Sequence, residues 1–169
     1  IFADLKLLDI PNTCKSTIRS IKDLKNINYL TVHISGGLKM LKAVKSVSGK
    51  IKILGVTTLT SLDNNDLKKI GYSRNLKQIV IKLAKLAKLT KLDGIICSPN
   101  EAKYLKKICK GMEIITPGIR LKGDSLQDQK RVTSPKDAFN NGATGIVIGR
   151  SITKGNISKN LKNLISHLS

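Results

Sequence analysis

The sequence predicts an α/β fold in which βα units follow one another around a parallel sheet. Two observations carry this. Short runs that are apolar or β-branched on both faces alternate with longer amphipathic runs, as strands covered by helices require. That alternation recurs six times in 169 residues, and successive βα units imply right-handed crossovers onto one parallel sheet. With 40% hydrophobic residues, the chain is long enough for a single domain over residues 1–169 with a substantial core.

The first strand is expected over Ile1–Leu5, and the helix Thr13–Asn26 follows with Ile18, Ile21 and Leu24 on one face. Tyr29–Ile34 ("YLTVHI") is the second strand, and after Gly36-Gly37 the segment Leu38–Val47 is helical. Ile51–Val56 forms the third strand. Asn75–Thr90 carries Leu76, Ile79, Val80, Leu83 and Ala87 at helical spacing. Lys77, Lys82, Lys85 and Lys88 line its other side; a basic membrane-surface helix has this pattern, but so does the wet face of an outer helix, which is the plainer reading. Gly94–Cys97, Glu113–Thr116 and Gly145–Ile148 are the remaining strands. Asn100–Cys109, Pro135–Asn140 and Ile157–Leu168 are the remaining helices, the second opened by Ser134 as cap and Pro in the first turn. Such a sheet is either open and doubly wound or part of a closed (β/α)8 TIM barrel. A complete barrel takes about 250 residues, so six units match roughly three quarters of one. No linker, low-complexity tract or further repeat divides the chain.

Composition narrows the function classes. The net charge of +20 comes from 26 Lys and 5 Arg spread along the chain, as on a solvated surface rather than a blocked polyanion-binding face. Phe2, Tyr29, Tyr72, Tyr104 and Phe139 are scattered, which offers no stacking platform for nucleic acid. No uncharged apolar run approaches the roughly 18 residues of a membrane span, and "IFADLK" has no signal-peptide pattern. Cys14, Cys97 and Cys109 are an odd, dispersed set, which fits reduced, buried thiols in a cytoplasmic protein. His33 and His167 do not cluster with them, so no zinc site is expected.

In parallel α/β folds the chemistry gathers at the C-terminal ends of the strands. After the first strand come Asp4, Lys6 and Asp9; after the second, His33 and Ser35-Gly36-Gly37; after the third, "GVTTLTS". The fourth runs into Ser98-Pro99-Asn100-Glu101, the fifth into "TPGIR" and a long polar loop, the sixth into "IGRSIT". Gly149 lets a backbone N–H approach a phosphate, and Arg150 adds a bidentate fork. Ser151–Thr153 begins a short helix, and Arg120, Gln129, Lys130 and Arg131 come from the loop before. Together these predict a small-molecule phosphate site, not a P-loop, since GxxxxGK[ST] is absent. Alternation places Asp4 and Lys6 on the same, barrel-facing side. A structural ion pair is one reading of them, but burying a pair gains little over apolar residues. A Lys flanked by two carboxylates stays protonated, which makes it a proton donor rather than a Schiff-base nucleophile. Asp9 follows one turn later, before Pro11.

"FADLKLLDIPNT", "VHISGG", "GVTTLTS", "DGIICSPNEA", "ITPGIR", "DQKRVTSP" and "ATGIVIGRSIT" occur in the order and spacing of orotidine 5'-phosphate decarboxylase, and the chain resembles that family, in its bacterial form, over essentially its whole length. DxKxxD is shared with a wider group of barrel enzymes; DIPNT, TPGIR…DQ and GRxIT are more specific. The resemblance implies cofactor-free decarboxylation of orotidylate to UMP in pyrimidine biosynthesis, with no metal. It implies that Lys6 protonates C6, that Asp4 lies beside the substrate carboxylate, and that Asp9 and Thr13 reach into the partner's site in a homodimer. Thr60 would lie near the pyrimidine, and Arg120, Gln129, Gly149 and Arg150 around the phosphate. Neither nucleic acid nor membrane is an expected partner.

Against the family pattern, two βα units are missing before Ile1, including an Asp that holds the ribose and a second Lys of the charge network. The chain is therefore expected to be the last six of eight units, and to lack appreciable activity by itself. Ser151 stands where Pro is common. The alternatives are another DxKxxD sugar-phosphate decarboxylase or synthase, which would need a further acidic metal ligand where "TVHIS" has none, and an inactive remnant that keeps only the phosphate site.

Overall fold

A computed structural model describes residues 1–121, 133–166 and 168. Its strands are β1 (Phe2–Leu7), β2 (Tyr29–His33), β3 (Lys52–Val56), β4 (Gly94–Ile96), β5 (Glu113–Thr116) and β6 (Gly145–Ile146). They form one sheet in the order β1-β2-β3-β4-β5-β6, and every neighbouring pair is parallel. The helices are α1 (Pro11–Ile21), α2 (Gly37–Lys45), α3 (Asn64–Lys69), α4 (Leu76–Leu89), α5 (Pro99–Ile108), α6 (Pro135–Asn140), α7 (Arg150–Thr153) and α8 (Ile157–Ser166). A 3₁₀ turn, Ile34–Gly36, joins β2 to α2.

The expected βα alternation is present, with informative shifts at its boundaries. α1 begins at Pro11 rather than Thr13, because the ring presets φ for the first helical position. α3 was not expected. It is six residues long and held by a capping box in which Asp63 accepts from the Asn65 and Asp66 N–H groups while Asp66 accepts from the Asp63 N–H. β1 runs on to Leu7 instead of stopping at Leu5, a difference that shapes the site.

Side chains alternate across each strand, so the sheet has two apolar faces. Leu30, Val32, Ile53, Ile95 and Ile114 turn toward the helices and pack with Met40, Leu41 and Val44 of α2, Val80, Ala84 and Ala87 of α4, and Leu105 of α5. Each large side chain buried there contributes about 1.5–3 kcal/mol. Leu54, Val56, Ile96 and Ile115 line the opposite, inner face with Tyr29. The Tyr29 hydroxyl lies 3.3 Å from Glu113 Oε1, although β2 and β5 are separated by two strands. In a flat sheet they would stand about 14 Å apart at the usual ~4.8 Å spacing, so the contact requires a curled sheet. Lys52 Nζ also donates to Glu113 Oε1 (2.5 Å), and the Phe2 ring lies 5.7 Å from that of Tyr29. These groups close the inner face at the N-terminal ends of the strands. On the outside at the same end, Asp93 accepts from Lys45 Nζ at 2.6 and 2.7 Å and from the Ile53 N–H at 2.8 Å.

The free cysteines Cys14, Cys97 and Cys109 are all buried. Among the described residues no helix is long and apolar enough to cross a membrane.

Gly94 sits on the inner face between Leu54 and Glu113 in register. An added Cβ there would lie 2.6 Å from the Glu113 carbonyl oxygen and 2.7 Å from Leu54 Cδ2. Because the first of these is backbone, Gly94→Ala is expected to cost about 1–3 kcal/mol, read as a lower urea midpoint with an unchanged slope.

Candidate active site

The β1–β2 ladder pairs Ala3 with Leu30 and then Leu7 with Val32, so four steps along β1 span two along β2. The excess is taken up around Lys6, which adopts φ +49°. A left-handed non-glycine residue costs on the order of 1–3 kcal/mol and persists only where its surroundings fix it. Here Thr31 does so: its Oγ1 accepts the Lys6 N–H at 2.9 Å and donates to Asp4 Oδ1 at 2.8 Å. Lys6 Nζ donates to Asp4 Oδ2 at 2.5 Å. Asp4 and Lys6 thus meet as expected, but through a bulged strand and a left-handed residue rather than through plain alternation.

Thr31 is fully buried, whereas the side chains of Lys6 and Asp4 keep 40% and 49% of their exposure. The pair therefore escapes most of the desolvation that burial imposes. Asp9 is exposed; its Oδ1 accepts its neighbour's Ile10 N–H at 2.6 Å, and it makes no ion pair among the described residues. Among the described residues the Lys6 ammonium has one carboxylate partner, Asp4, not two. Thr13 lies in the first turn of α1 and is exposed.

His33 ends β2 two residues beyond Thr31, hence on the same inner face. Burial is the main cause that lowers its pKa, the Lys6 ammonium adds to this, and Asp4 opposes it. Neither Thr31 nor His33 had been assigned a site role from the sequence. The available signal was the interruption of an apolar strand by polar residues at alternate positions, "T-V-H".

Thr60 lies in the turn after β3 and is half-buried. At the ends of β5 and β6 are the phosphate candidates. The Arg120 N–H donates to the Thr133 carbonyl (3.0 Å) and its Nη1 to the Ile119 carbonyl (2.9 Å). Gly149 caps α7, with open space where a Cβ would stand, and Arg150 is the exposed first residue of that helix. Gln129, Lys130 and Arg131 lie outside the described residues, as does His167. No group of three or more His, Cys, Asp or Glu that could hold a metal occurs among the described residues.

A curled sheet of six parallel strands in sequence order, with helices between them, defines a partial (β/α) barrel. The family model described as "Orotidine 5'-phosphate decarboxylase / HUMPS family" matches residues 1–160, and the chain belongs to that family. An orotidine 5'-phosphate decarboxylase of Wolbachia pipientis subsp. Culex pipiens (strain wPip) is 54% identical over 157 residues, covering 91% of this chain and 69% of the relative. Its namesake from Wolbachia sp. subsp. Brugia malayi (strain TRS) is 52% identical over 167 residues, covering 97% and 73%. The crystal structure of orotidine 5'-phosphate decarboxylase from Lactobacillus acidophilus superposes with a TM-score of 0.85 at 33% identity, covering 100% of this chain and 75% of that one.

Two predictions follow from the rim. Thr31→Val keeps the shape but leaves the Lys6 N–H and an Asp4 oxygen without their partner, so it is expected to cost about 1–3 kcal/mol in urea unfolding. For His33, a folded pKa below the unfolded value means that the unfolded chain binds the extra proton first. Its stabilising share is present above pH ~6.5 and is lost as pH falls from there toward the folded pKa. His33→Gln is expected to flatten the fall in Tm between pH 7 and 5.

Proposed function

We propose that the chain decarboxylates orotidine 5'-phosphate to UMP, the final step of pyrimidine nucleotide synthesis, without a cofactor. The observation that carries this reading is the Lys6–Asp4–Thr31 cluster, held at the C-terminal end of β1 by a left-handed lysine, in a chain of this family.

In the reaction the bond between C6 and the carboxylate breaks, its electron pair stays on C6, and CO2 departs. The anion left in the ring plane has little delocalisation. Lys6 places an N–H donor beside it and transfers its proton to C6, then regains one from solvent. Fixed charge aimed where charge develops is usually the largest catalytic contribution, and the Thr31 bridge supplies that fixity by holding both the backbone of Lys6 and its counterion. Asp4 stands beside the reactant carboxylate and disfavours it relative to neutral CO2. Thr60 lies at the pyrimidine. Arg120, Gln129, Gly149 and Arg150 hold the phosphate, whose binding energy is available to organise the site. Asp9 and Thr13, exposed in a single chain, enter the site of a second subunit in a homodimer.

Lys6→Met is expected to lower kcat by at least 10²–10⁴-fold while UMP binding by calorimetry falls much less. Equal loss of both would make Lys6 a binding residue only. EDTA is expected to leave turnover unchanged, whereas the metal-dependent sugar-phosphate alternative requires its loss.

The sheet is open, with Phe2 and Leu5 on one edge strand exposed at 36% and 51%, and Val147 just beyond the other at 41%. Exposed apolar edges favour non-native pairing. Residues 1–169 alone are therefore expected to turn over orotidylate far more slowly than a chain extended to the relatives' length, and to elute as larger species in size-exclusion chromatography.

A further inference from the structure

The fold gathers lysines that the sequence disperses. Residues 76–110 hold nine Lys, no Arg and two acidic residues, Asp93 and Glu101, and both carboxylates are occupied elsewhere. Asp93 accepts from Lys45 and from the Ile53 N–H. Glu101 is 3% exposed, and its Oε2 accepts the Ser98 N–H at 2.9 Å. Glu113, the next acid along the chain, is held by Lys52 and Tyr29 at the inner face. The outer surface of α4 and α5 therefore carries cations with no exposed carboxylate from either helix.

The apolar sides of both helices are turned into the core: Ile79, Val80, Ala84 and Ala87 of α4, and Ala102 and Leu105 of α5, are buried. At about 100° per residue, Lys77, Lys85 and Lys88 lie within about 80° of one another on α4, and Lys103 and Lys107 within about 40° on α5. Lys110 stands just past the end of α5, and all six are exposed. The two helices pack side by side. Near the start of α4, Lys77 lies over the Tyr104 ring of α5, 5.4 Å from its centroid. At the other end, burial raises the pKa of the Cys109 thiol and the Lys88 ammonium opposes it. Lysines thus line both banks of one shallow groove, over the roughly 16 Å from Lys77 to Lys88. None of the six makes an ion pair among the described residues. The helix dipole favours cations in the last turn, which accounts for Lys88 and Lys107, but it disfavours Lys77 in the first turn of α4.

We propose that this groove binds the phosphate backbone of a single nucleic-acid strand without reading its bases. The inference is independent of the decarboxylase reading. Dispersed in the sequence, these charges gave no reason to expect such a partner; their grouping does. Packed helices have axes about 8–10 Å apart, so the groove is one backbone wide. Phosphates recur every ~3.4 Å along a stacked strand, so the lysines face about five of them. Lysine supplies point charges where arginine would supply forks. Tyr104, half-buried and covered by Lys77, leaves no open ring for a base. An anionic membrane fits less well, because an interfacial helix inserts an apolar face and Leu89 is the sole large apolar side chain exposed on these two helices. α4 and α5 flank β4 in the middle of the sheet, away from both open edges, so a chain extended to the relatives' length leaves the groove uncovered.

The test is fluorescence anisotropy of labelled single-stranded oligoadenylate with that extended chain, in saturating UMP so that the rim does not capture the probe. A variant carrying Lys77→Gln, Lys85→Gln, Lys88→Gln and Lys107→Gln is compared with one that removes equal charge elsewhere, through Lys22→Gln, Lys25→Gln, Lys159→Gln and Lys162→Gln. Six phosphate contacts on a single strand give a slope of about −4 in log K against log salt, so affinity is expected to fall a few hundred-fold between about 50 and 200 mM KCl. The groove variant is expected to bind at least ~10-fold more weakly at the lower salt, with the slope reduced by about 3, and with Tm and orotidylate turnover unchanged. The second variant is expected to keep the parent slope, and Lys→Arg at the four groove positions to keep binding, since charge rather than shape is read. Oligocytidylate is expected to bind as oligoadenylate does. Equal weakening in both Gln variants, an unbound probe at the lower salt, or a marked base preference overturns the proposal. So does capture by vesicles of equimolar phosphatidylserine and phosphatidylcholine that the groove variant loses while its oligoadenylate binding is unaffected.

Discussion

The Thr31 hydroxyl is the point on which the site turns. Its single proton goes to Asp4, which leaves its lone pairs free to accept the Lys6 backbone N–H. One group thereby fixes a carboxylate and the main chain of the lysine that pairs with it. Without that acceptor, the left-handed turn at Lys6 would leave an amide unsatisfied as well as strained. With it, the ammonium and carboxylate are aimed before any substrate arrives. The strand itself supplies the placement: β1 carries two more residues than β2 needs over that stretch, and the excess pushes the Asp4–Lys6 segment out at the rim.

The two ends of the sheet are treated differently. At the N-terminal end polar groups are matched: Glu113 with Lys52 and Tyr29, Asp93 with Lys45 and the Ile53 N–H. At the C-terminal end they are left partly unmatched, in the Thr58 hydroxyl, a left-handed lysine and a histidine whose pKa burial lowers. The first end secures curvature and closes the inner face. The second holds local costs that a stable outer core sustains, since most large buried side chains lie between the sheet and the helices. Rules of local consistency are expected to break where function sits, and here they break along one rim.

This asymmetry explains what was legible in the sequence. Period and length gave the six strands in order, because helix-facing Leu30, Val32, Ile53, Ile95 and Ile114 must be apolar whatever the chain does. The charged pair was legible because Asp4 and Lys6 interrupt an apolar strand. Its geometry was not, since nothing in "DLK" announces a positive φ at Lys6; that follows from a register mismatch with a strand more than twenty residues later. Thr31 was hidden for a related reason: a threonine in a strand is ordinary by propensity, and only its partners make it unusual. α3 was hidden because its six residues are too few for a periodic signal, although Asp63 and Asp66 are spaced as a capping box. The split of Asp9 from Lys6 could not be read at all, because it depends on α1 starting at Pro11.

The curl of the sheet then decides what the rim can hold. Were the sheet flat, β1 and β4 would stand about 14 Å apart at ~4.8 Å per strand. The contact between Tyr29 and Glu113 shows that the inner face folds over on itself even where its strands are three positions apart. The same curvature that lets a tyrosine reach a glutamate at one end acts on the strand ends at the other. The apolar layer of Leu54, Val56, Ile96 and Ile115 lines the inner face that this curvature encloses.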